Sequence, residues 1–306
     1  MTDSISPRGS IVSPTCVVQL DYIADPAPPP SGPWTRFVIL SDTHAETFPV
    51  PDGDVLLHCG DLTRRGTAAE LRRTMEWLCE LPHPVKIVIA GNRDFSLDRD
   101  WYDRCWRQGG NHDTVSPWEP AEPLLELLSG PEATCSNIKY LQDEVHTFKV
   151  RPDGREWSVY GSPLTPSYKG RLRAFSYEKA DGIAAVAKFP QVDILMTHGP
   201  PLNVLDRTAK GAMAGCPSLA NRVSALRPRL HAFGHIHEAR GAHIHSWATG
   251  VAPQAQSDSE SIAAEGPQTI FVNAANWPEG PKKARVGKNY QVGGQGVRPV
   301  IVDLLE

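Results

Sequence analysis

Seven side chains that are suited to metal binding stand directly after short apolar segments of the sequence. The segments are RFVIL, DVLLH, KIVIA, DILMT and LHAF, and each is followed within a few residues by such donors. The donors are Asp42, His44, Asp61, Asn92, His198, His235 and His237. In the D-x-H and H-x-H pairs, the alternation of an extended chain places both donors on one side, and neighbouring glycines let backbone approach a ligand. The pattern predicts a metal site.

The number and chemistry of these donors indicate which ions they would bind. Seven exceed the four ligands of one tetrahedral zinc ion. Their mixture of imidazole, carboxylate and amide favours Zn, Mn or Fe over calcium. If one carboxylate bridges, each of two ions receives four protein ligands, and two ions roughly 3.5–4 Å apart form the clamp that acts on phosphate esters. We therefore expect two divalent or mixed-valence metal ions.

The elements that must position the donors alternate between strand and helix early in the chain, and strands dominate later. Short β-branched or apolar segments predict ten strands: 36–40, 54–58, 85–90, 146–150, 157–161, 192–197, 230–233, 243–247, 269–272 and 300–304. A capping box at Thr67 to Glu70 predicts a helix, and further helices are predicted at 218–226 and 177–188. The order fits an α/β protein in which two sheets pack face to face with helices outside. Ligands of such sheets bind beyond the carboxyl ends of the strands.

Composition outlines the rest of the chain. Residues 1–34, which end in DPAPPPSGPW, predict a poorly ordered N-terminal arm, because proline runs cannot join a sheet. Residues 35–306 are predicted to form a single domain, with a low-complexity surface loop around 251–268.

Charge and cysteine content limit the classes of partner and the compartment. The 306 residues carry a net charge of -4, which offers no basic footprint for nucleic acid or an anionic membrane. The opening residues lack a signal-peptide pattern, and no segment has the length of a membrane span. Six cysteines without paired spacing indicate reduced thiols. The sequence thus predicts a soluble cytoplasmic protein of unknown oligomeric state whose partner is a small molecule.

The five donor motifs in this order resemble the calcineurin-like metallophosphoesterases. D-x-H, G-D, G-N-x-D, H-G-P-P and G-H-x-H cover the chain from about Arg36 to its end. The stretches KIVIAGN, YGSPLTP, THGPP and HAFGHIHE are similar, more narrowly, to the metallophosphoesterase-domain-containing group of cyclic-nucleotide-type phosphodiesterases. The resemblance implies a four-layer α/β/β/α sandwich of two mixed sheets and hydrolysis of phosphoric esters.

The resemblance also implies a role for each donor. Asp42, His44 and His237 would hold the first metal, Asn92, His198 and His235 the second, and Asp61 would bridge. A hydroxide between the ions would attack phosphorus in line, while Asn92, His198 and Arg93 hold phosphoryl oxygens. Cyclic nucleotides are the substrates that the resemblance implies.

Arg93 departs from the family pattern, which has histidine at this position. A guanidinium is permanently protonated and cannot act as a general acid near neutral pH. It can bind phosphoryl oxygens with a fork of N–H groups. We therefore predict an active site that handles stable leaving groups poorly, unless water or another residue delivers the proton.

A second motif competes with the one that contains Asn92. Residues 110–113 spell GNHD, but the preceding DRCWRQGG has no apolar strand that would fix their position. We therefore predict that Asn92 is the ligand and that His112 could approach only from a loop.

Other residues have a structural interpretation beside the functional one. His58, Asp94, Asn273 and Asn276 could support the ligands or simply stabilise turns. Arg64 and Arg65 could attract an anionic substrate, although exposed arginines are ordinary. Three further residues are candidates for the mouth of a substrate site, namely Tyr168, Lys169 and Lys210.

Three alternatives to a phosphodiesterase stay open. A phosphomonoesterase acting on a phosphorylated metabolite would use the same site. A non-catalytic scaffold on the same fold would usually have gaps in its metal ligands, and this sequence has a full set. An enzyme that processes nucleic acid is disfavoured by the net charge.

Overall fold

The computed structural model describes residues 10–23, 25–107, 118–167, 173–248, 266–278 and 291–306. These residues contain fifteen strands: β1 Ser10–Ser13, β2 Cys16–Gln19, β3 Trp34–Leu40, β4 Val55–Cys59, β5 Val85–Ile89, β6 Ile138–Tyr140, β7 Glu144–Lys149, β8 Glu156–Ser162, β9 Thr165–Pro166, β10 Ser176–Tyr177, β11 Ile194–Thr197, β12 Leu230–Phe233, β13 Gly241–Ser246, β14 Gln268–Asn273 and β15 Val300–Leu305. All ten predicted strands are present, with ends shifted by at most two residues.

The helices of the described residues lie mainly between the strands. They are α1 Ala68–Glu80, α2 Arg99–Arg107, α3 Glu122–Ser129, α4 Pro131–Cys135, α5 Gly182–Val186 and α6 Pro217–Leu226. Thr67 caps α1, because its hydroxyl accepts a hydrogen bond from the Glu70 amide at 3.0 Å. The Glu70 carboxylate does not complete the capping box and accepts from the Arg65 amide instead. The helix predicted over 177–188 is shorter than expected, because a 3₁₀ turn at Lys179–Asp181 precedes α5.

The strands form two large mixed sheets and one short ladder. The first sheet has the order β1-β2-β15-β3-β4-β5-β6, and the second has the order β13-β14-β12-β11-β8-β7. Within them, β3, β4 and β5 run parallel to one another, as do β8, β11, β12 and β14. Strands β9 and β10 pair separately. Parallel neighbours bring their carboxyl ends to one edge, where the predicted donors follow.

Three apolar clusters define four layers. The central cluster joins the two sheets and includes Phe37, Ile87, Trp157 and Ile194. A second cluster lies between the first sheet and α1 to α4, and a third lies between the second sheet and α5 and α6. The fold is therefore the α/β/β/α sandwich, which confirms the predicted class.

The N-terminal prediction needs correction. Strands β1 and β2 lie within the segment that was expected to be a poorly ordered arm, and β2 pairs antiparallel with β15. The reason is that Cys16 and Val18 are fully buried in the central cluster, whereas the prolines that argued against a sheet begin only at Pro26. Residues 1–9 and most of the predicted loop at 251–268, up to residue 265, lie outside the described residues.

Two further properties of the described residues bear on the sequence predictions. All six cysteines are free thiols, as their spacing predicted. Within the described ranges, the helices are too short or too polar to cross a bilayer.

Candidate metal centre and active site

The seven predicted donors meet at the carboxyl ends of strands from both sheets. Asp42 and His44 follow β3, Asp61 follows β4, and Asn92 follows β5. From the second sheet, His198 follows β11, and His235 and His237 follow β12. Ser41, which follows β3, forms a parallel β-bridge with Ala275, which follows β14. This bridge joins the two sheets at this edge.

Short distances link the donors into one cluster. The His237 Nε2 atom lies 3.1 Å from Asp42 Oδ1, and the His198 Nε2 atom lies 3.3 Å from Asp61 Oδ1 and 3.0 Å from Asn92 Oδ1. Asp61 Oδ2 is 3.9 Å from His44 Nδ1, so Asp61 contacts one imidazole of each predicted metal set. The structure thus brings together all seven residues, since the His235 ring also lies 5.1 Å from that of His198.

Backbone carbonyls orient two of the imidazoles. The Nδ1 atom of His198 is 2.9 Å from the Cys59 carbonyl, and Nδ1 of His44 is 3.1 Å from that of Thr63. A carbonyl can only accept, so each Nδ1 carries a proton, and in the neutral imidazole Nε2 is the atom that can bind a metal. This is the arrangement that metal-binding histidines adopt.

The backbone of the donor loops is strained. Four of the seven donors have a positive φ, at 56° for Asp42, 51° for His44, 54° for Asp61 and 68° for His235. Such conformations cost non-glycine residues about 1–3 kcal/mol each and concentrate at functional sites. Glycines provide the space, because a Cβ atom on Gly91 would collide with Asp61 and one on Gly234 with Ser41 and Asp42.

The electrostatics of the cluster favour positive charge. Burial disfavours an imidazolium at His198, but the carboxylates of Asp61 and Asp42 raise its pKa above the usual value. The pKa of His237 is also raised, because the negative charge of Asp42 outweighs the effect of burial. Burial lowers the pKa of His235 to about 3, which keeps this imidazole neutral.

The donors fit metal ions. Asp42, His44 and His237 each have one ligand atom within 4.8 Å of those of the other two, and the same holds for the group of Asp42, Asp61 and His198. The His198 Nε2 atom faces two oxygens, Asp61 Oδ1 of the second group and Asn92 Oδ1 outside it, and a proton or a cation at this place would satisfy these acceptors. The division into two ligand sets remains a prediction.

Asp94 connects two of the donor loops. Its fully buried carboxylate accepts hydrogen bonds from the amides of Leu62, Thr63 and Gly91 at 3.1, 2.8 and 2.7 Å, and from the Thr63 hydroxyl at 2.7 Å. Burial, followed by the charge of Asp61, raises its pKa to about 7. The Asp94 side chain makes no capping hydrogen bond to the following 3₁₀ turn, so its carboxylate supports the site.

Three other residues that had both a structural and a functional interpretation also contact the donor segments. The His58 Nε2 atom is 3.0 Å from the hydroxyl of Thr43, between two donors. Asn276 accepts from the Ser41 amide at 3.1 Å, and Asn273 donates to the Ile236 carbonyl at 2.9 Å. Each therefore supports the segment on which metal donors lie.

A cavity of about 390 Å³ opens above the cluster. Its lining includes five of the predicted donors, together with Arg93 and Lys210, which were predicted to bind substrate. The Arg93 amide also donates to Asp61 Oδ1 at 2.8 Å, so the backbone of this residue positions a donor.

Several residues near the cavity were not predicted. Arg173, Ser176, Thr208 and Glu238 line it, but no local motif marks the first three, which lie in loops or, for Ser176, in the two-residue strand β10. Trp277 packs edge-on against the His44 ring at 4.9 Å, and its position directly after Asn276 was an available signal.

The remaining predictions have different outcomes. Arg64 and Arg65 are exposed and do not appear among the described residues that line the cavity, although the Arg64 guanidinium lies 5.5 Å from the Trp277 ring. Tyr168, Lys169 and His112 lie outside the described residues.

Comparison with known proteins places these features in context. Residues 35–239 match the family model described as calcineurin-like phosphoesterase. "Metallophosphoesterase domain-containing protein 1" of Homo sapiens is 39% identical over 237 residues, which cover 74% of this chain and 68% of that protein. "UPF0046 protein K07C11.7" of Caenorhabditis elegans is 35% identical over 222 residues, or 70% of this chain and 68% of that protein.

Two other similarities are more limited. "Probable rhamnogalacturonate lyase C" of Emericella nidulans is 34% identical over 214 residues, or 69% of this chain but only 18% of that protein. The solved structure of TT1561 of Thermus thermophilus is 12% identical with a TM-score of 0.43, covering 79% of this chain and 89% of that one. On the family match and the identity to its relatives, the chain belongs to the calcineurin-like phosphoesterase family.

Proposed function

We propose that this protein hydrolyses small phosphate esters with two metal ions, and that phosphodiesters are its preferred substrates. Family membership and the donor cluster support a metal-dependent phosphoesterase. The preference for diesters, with cyclic-nucleotide-type compounds as the first to test, rests on the resemblance of the motifs to the metallophosphoesterase-domain-containing group.

The observation that carries the proposal is the convergence of the seven donors at the base of an open cavity. The donors come from five strand ends of two sheets, and four of them sit in strained backbone conformations. Folding alone gives no reason to bring two carboxylates and four imidazoles into contact, because buried charge is costly without a counterion. A cavity of about 390 Å³ has the size of a small-molecule site.

The residues of the chain have distinct tasks in this reaction. Bound divalent cations would lower the pKa of a water molecule and neutralise charge on the phosphoryl group. Asn92 and Arg93 line the cavity and would face the phosphoryl oxygens, where Arg93 adds a fixed positive charge. The fully buried His198 lies beside Asn92, with its Nε2 atom 3.0 Å from Asn92 Oδ1. Since Arg93 cannot give up a proton, the leaving oxygen takes its proton from water or departs as an anion.

Metal analysis and activity of an Asp61→Asn variant test the proposal. We expect the wild-type protein, loaded with Mn, Fe or Zn, to bind about two ions per chain and to cleave aryl phosphate esters. Asp61→Asn removes the carboxylate that contacts His44 and His198, so bound metal should fall and activity should drop by about two orders of magnitude or more.

A matched control and a contrary result complete this test. Asp181→Asn changes an exposed aspartate beside α5 and should leave both metal content and activity unchanged. Full metal binding without hydrolysis of any phosphate ester would instead support the non-catalytic scaffold.

The choice between diesters and monoesters needs a separate comparison. We expect bis(4-nitrophenyl) phosphate to be cleaved faster than 4-nitrophenyl phosphate. The reverse order would favour a phosphomonoesterase acting on a phosphorylated metabolite.

The partner and compartment also belong to the proposal. Free thiols at all six cysteines support a reducing compartment such as the cytoplasm. The net charge of -4 supports a small ester over nucleic acid. Salt-dependent binding to oligonucleotides would contradict this choice.

A further inference from the structure

A second cavity, of about 500 Å³, lies on the side of the second sheet that carries α6. The described residues that line it are all different from those that line the active-site cavity. Its volume is within the range of small-molecule pockets. The protein therefore has room for a ligand away from the predicted metal centre.

The second cavity is built by packing between a helix and the edge of a sheet. Its walls come from the loop after β11, from α6, and from β13 and β14. On α6, the small side chains of Ala220 and Ser224 lie about one turn apart and leave the space open. On the sheet, His243 pairs with Phe271, and their rings lie 6.4 Å apart at an angle of 21°. The cavity is thus a concave site and not a flat exposed face.

The loop after β11 is held in a strained conformation where it lines the second cavity. Asn203 and Leu205 have φ values of 65° and 49°, which cost non-glycine residues about 1–3 kcal/mol each. The fully buried Asp206 carboxylate accepts from the amides of Asn203 and Gly215 at 3.1 and 2.9 Å. Asn273 donates to the Leu205 carbonyl at 3.1 Å. Buried hydrogen bonds therefore fix this wall before any ligand binds.

The walls of the second cavity carry no permanent charge among the described residues, which include neither carboxylates nor lysine or arginine side chains. The Arg227 guanidinium lies 5.7 Å from the ring centre of Trp247, but Arg227 does not line the cavity. An ionised ligand would lose its hydration here without gaining a counterion. The walls therefore favour an uncharged ligand.

Aromatic side chains dominate one wall of the second cavity. His243, His245 and Trp247 alternate along the chain and share a face, and the rings of His245 and Trp247 lie 4.2 Å apart. Trp247 Nε1 already donates to the Thr269 hydroxyl at 2.8 Å, so Trp247 offers a ligand only its apolar ring. Aromatic rings attract further rings in edge-on or offset arrangements. The wall therefore favours a planar aromatic ligand.

The two histidines supply polar contacts at this wall. Within the described part of the chain, their ring nitrogens have no hydrogen-bond partner. Burial, followed by the charge of His245, lowers the pKa of His243, so this imidazole is neutral near pH 7. A neutral imidazole has one donor and one acceptor. It thus matches a ligand group, such as an amide, that both donates and accepts.

We infer that the second cavity binds a small uncharged aromatic molecule that carries a hydrogen-bonding group. The aromatic part packs against Trp247 and Phe271, and the polar group meets the imidazoles of His243 and His245. This site does not depend on the proposed phosphoesterase function, because its lining is separate from the metal donors.

Calorimetry with three probes of similar size tests the chemistry of the site. The metal-loaded full chain is titrated with 2-naphthamide, 2-naphthoate and decahydronaphthalene-2-carboxamide. We expect 2-naphthamide to bind about tenfold more tightly than 2-naphthoate, because the carboxylate loses its hydration on binding. The saturated amide should bind about fivefold more weakly than 2-naphthamide, because it lacks the ring interactions.

Substitutions on α6 locate the bound probe. Ser224→Phe narrows the mouth at an exposed position and Ala220→Phe fills the interior, so each should weaken the binding of 2-naphthamide about tenfold or more. Ala225→Phe adds the same ring at an exposed position of α6 that does not line the cavity and should keep the wild-type affinity. Thermal denaturation followed by circular dichroism checks that each variant is folded. If Ala220→Phe does not fold, Ser224→Phe alone decides the location.

Four results would overturn the inference. Failure of 2-naphthamide to bind would remove the site, and binding of 2-naphthoate as tight or tighter would contradict an uncharged ligand. Equal affinity for the saturated amide would contradict an aromatic ligand. Wild-type affinity in folded Ser224→Phe and Ala220→Phe would place the probe elsewhere, for example in the active-site cavity. None of these results bears on phosphate-ester hydrolysis, so they leave the proposed function intact.

Discussion

At the scale of single residues, the backbone and the side chain of Arg93 have different roles. Its amide donates to Asp61 Oδ1 at 2.8 Å, and any side chain at this position can preserve that bond. Its guanidinium lines the cavity and supplies charge. Substitution of the side chain should therefore change the chemistry while leaving the metal donors in place.

Arg93→His should improve the cleavage of esters with stable leaving groups. An imidazole can protonate the departing oxygen, which matters for alkyl esters and little for aryl esters. We expect the ratio of alkyl to aryl activity to rise by about tenfold to a hundredfold. Steady-state rates on a matched alkyl and aryl pair, with metal content measured in parallel, provide the check.

Arg93→Gln is the control for this effect. Glutamine removes the charge but cannot act as an acid at neutral pH, so both activities should fall while their ratio stays constant. An unchanged ratio in Arg93→His would show that the residue does not face the leaving group.

At the scale of elements, the site depends on how the loops after adjacent strands are tied together. The loops after β4 and β5 hold Asp61 and Asn92, and Asp94 crosses between them with four accepted hydrogen bonds. One of its partners, Thr63, also provides the carbonyl that orients His44. A substitution at Asp94 should therefore also alter the positions of metal donors that Asp94 does not contact.

Asp94→Asn should weaken metal binding and folding together. The amide group of asparagine turns a donor toward backbone N–H groups that need an acceptor, so we expect a loss of about 2–3 kcal/mol in the free energy of unfolding. Metal affinity should fall about 10-fold to 100-fold, as for other groups that support ligands. Chemical denaturation of the metal-free protein and metal titration measure the two effects.

A milder variant separates positioning from folding. Thr63→Val removes the hydroxyl that donates to Asp94 and accepts from the Gly66 amide, but it leaves the three amide donors to Asp94 in place and should produce a smaller loss of both quantities. If Asp94→Asn lowered stability but kept the wild-type metal affinity, Asp94 would contribute to folding alone.

At the scale of the whole molecule, a buried histidine in the core makes the free energy of unfolding depend on pH under acid conditions. His231 on β12 is fully buried, with Nε2 at 2.9 Å from the Thr197 hydroxyl and its ring beside those of Phe233 and Phe271. Burial lowers its pKa to about 3. In the unfolded chain the imidazole regains a pKa of about 6.5.

The sign of the pH dependence follows from these two values. Below about pH 6.5, His231 is protonated in the unfolded state but stays neutral in the folded state. Its contribution to the free energy of unfolding is therefore fully present above that pH and is lost as the pH falls toward 3. The contribution is on the order of a few kcal/mol. His231→Gln should flatten the slope of unfolding free energy between pH 6.5 and 4, as measured by denaturation at several pH values, and an unaltered slope would contradict the assignment.

The packing of the whole molecule also explains which predictions from sequence were correct and which were not. The ten predicted strands were found because buried strands are short, β-branched and apolar, and Asn92 was preferred over residue 111 because it follows such a strand. Strands β1 and β2 were missed, since their place in the sheet depends on pairing with β15, almost three hundred residues away. Arg173 and Ser176 were missed because no local pattern marks a loop residue, or a residue of a strand as short as β10, as part of a cavity wall.

The sequence by itself determined the chemistry of the site, since the type of each donor and its position after an apolar strand are local properties of the chain. Only the tertiary structure decided which donors touch, how carbonyls orient His44 and His198, and which cations face the cavity. The physical reason is that strand ends from two sheets become neighbours only when burial of their apolar faces packs the sheets together. Distances across that interface depend on the whole packed core and are not encoded in any one segment.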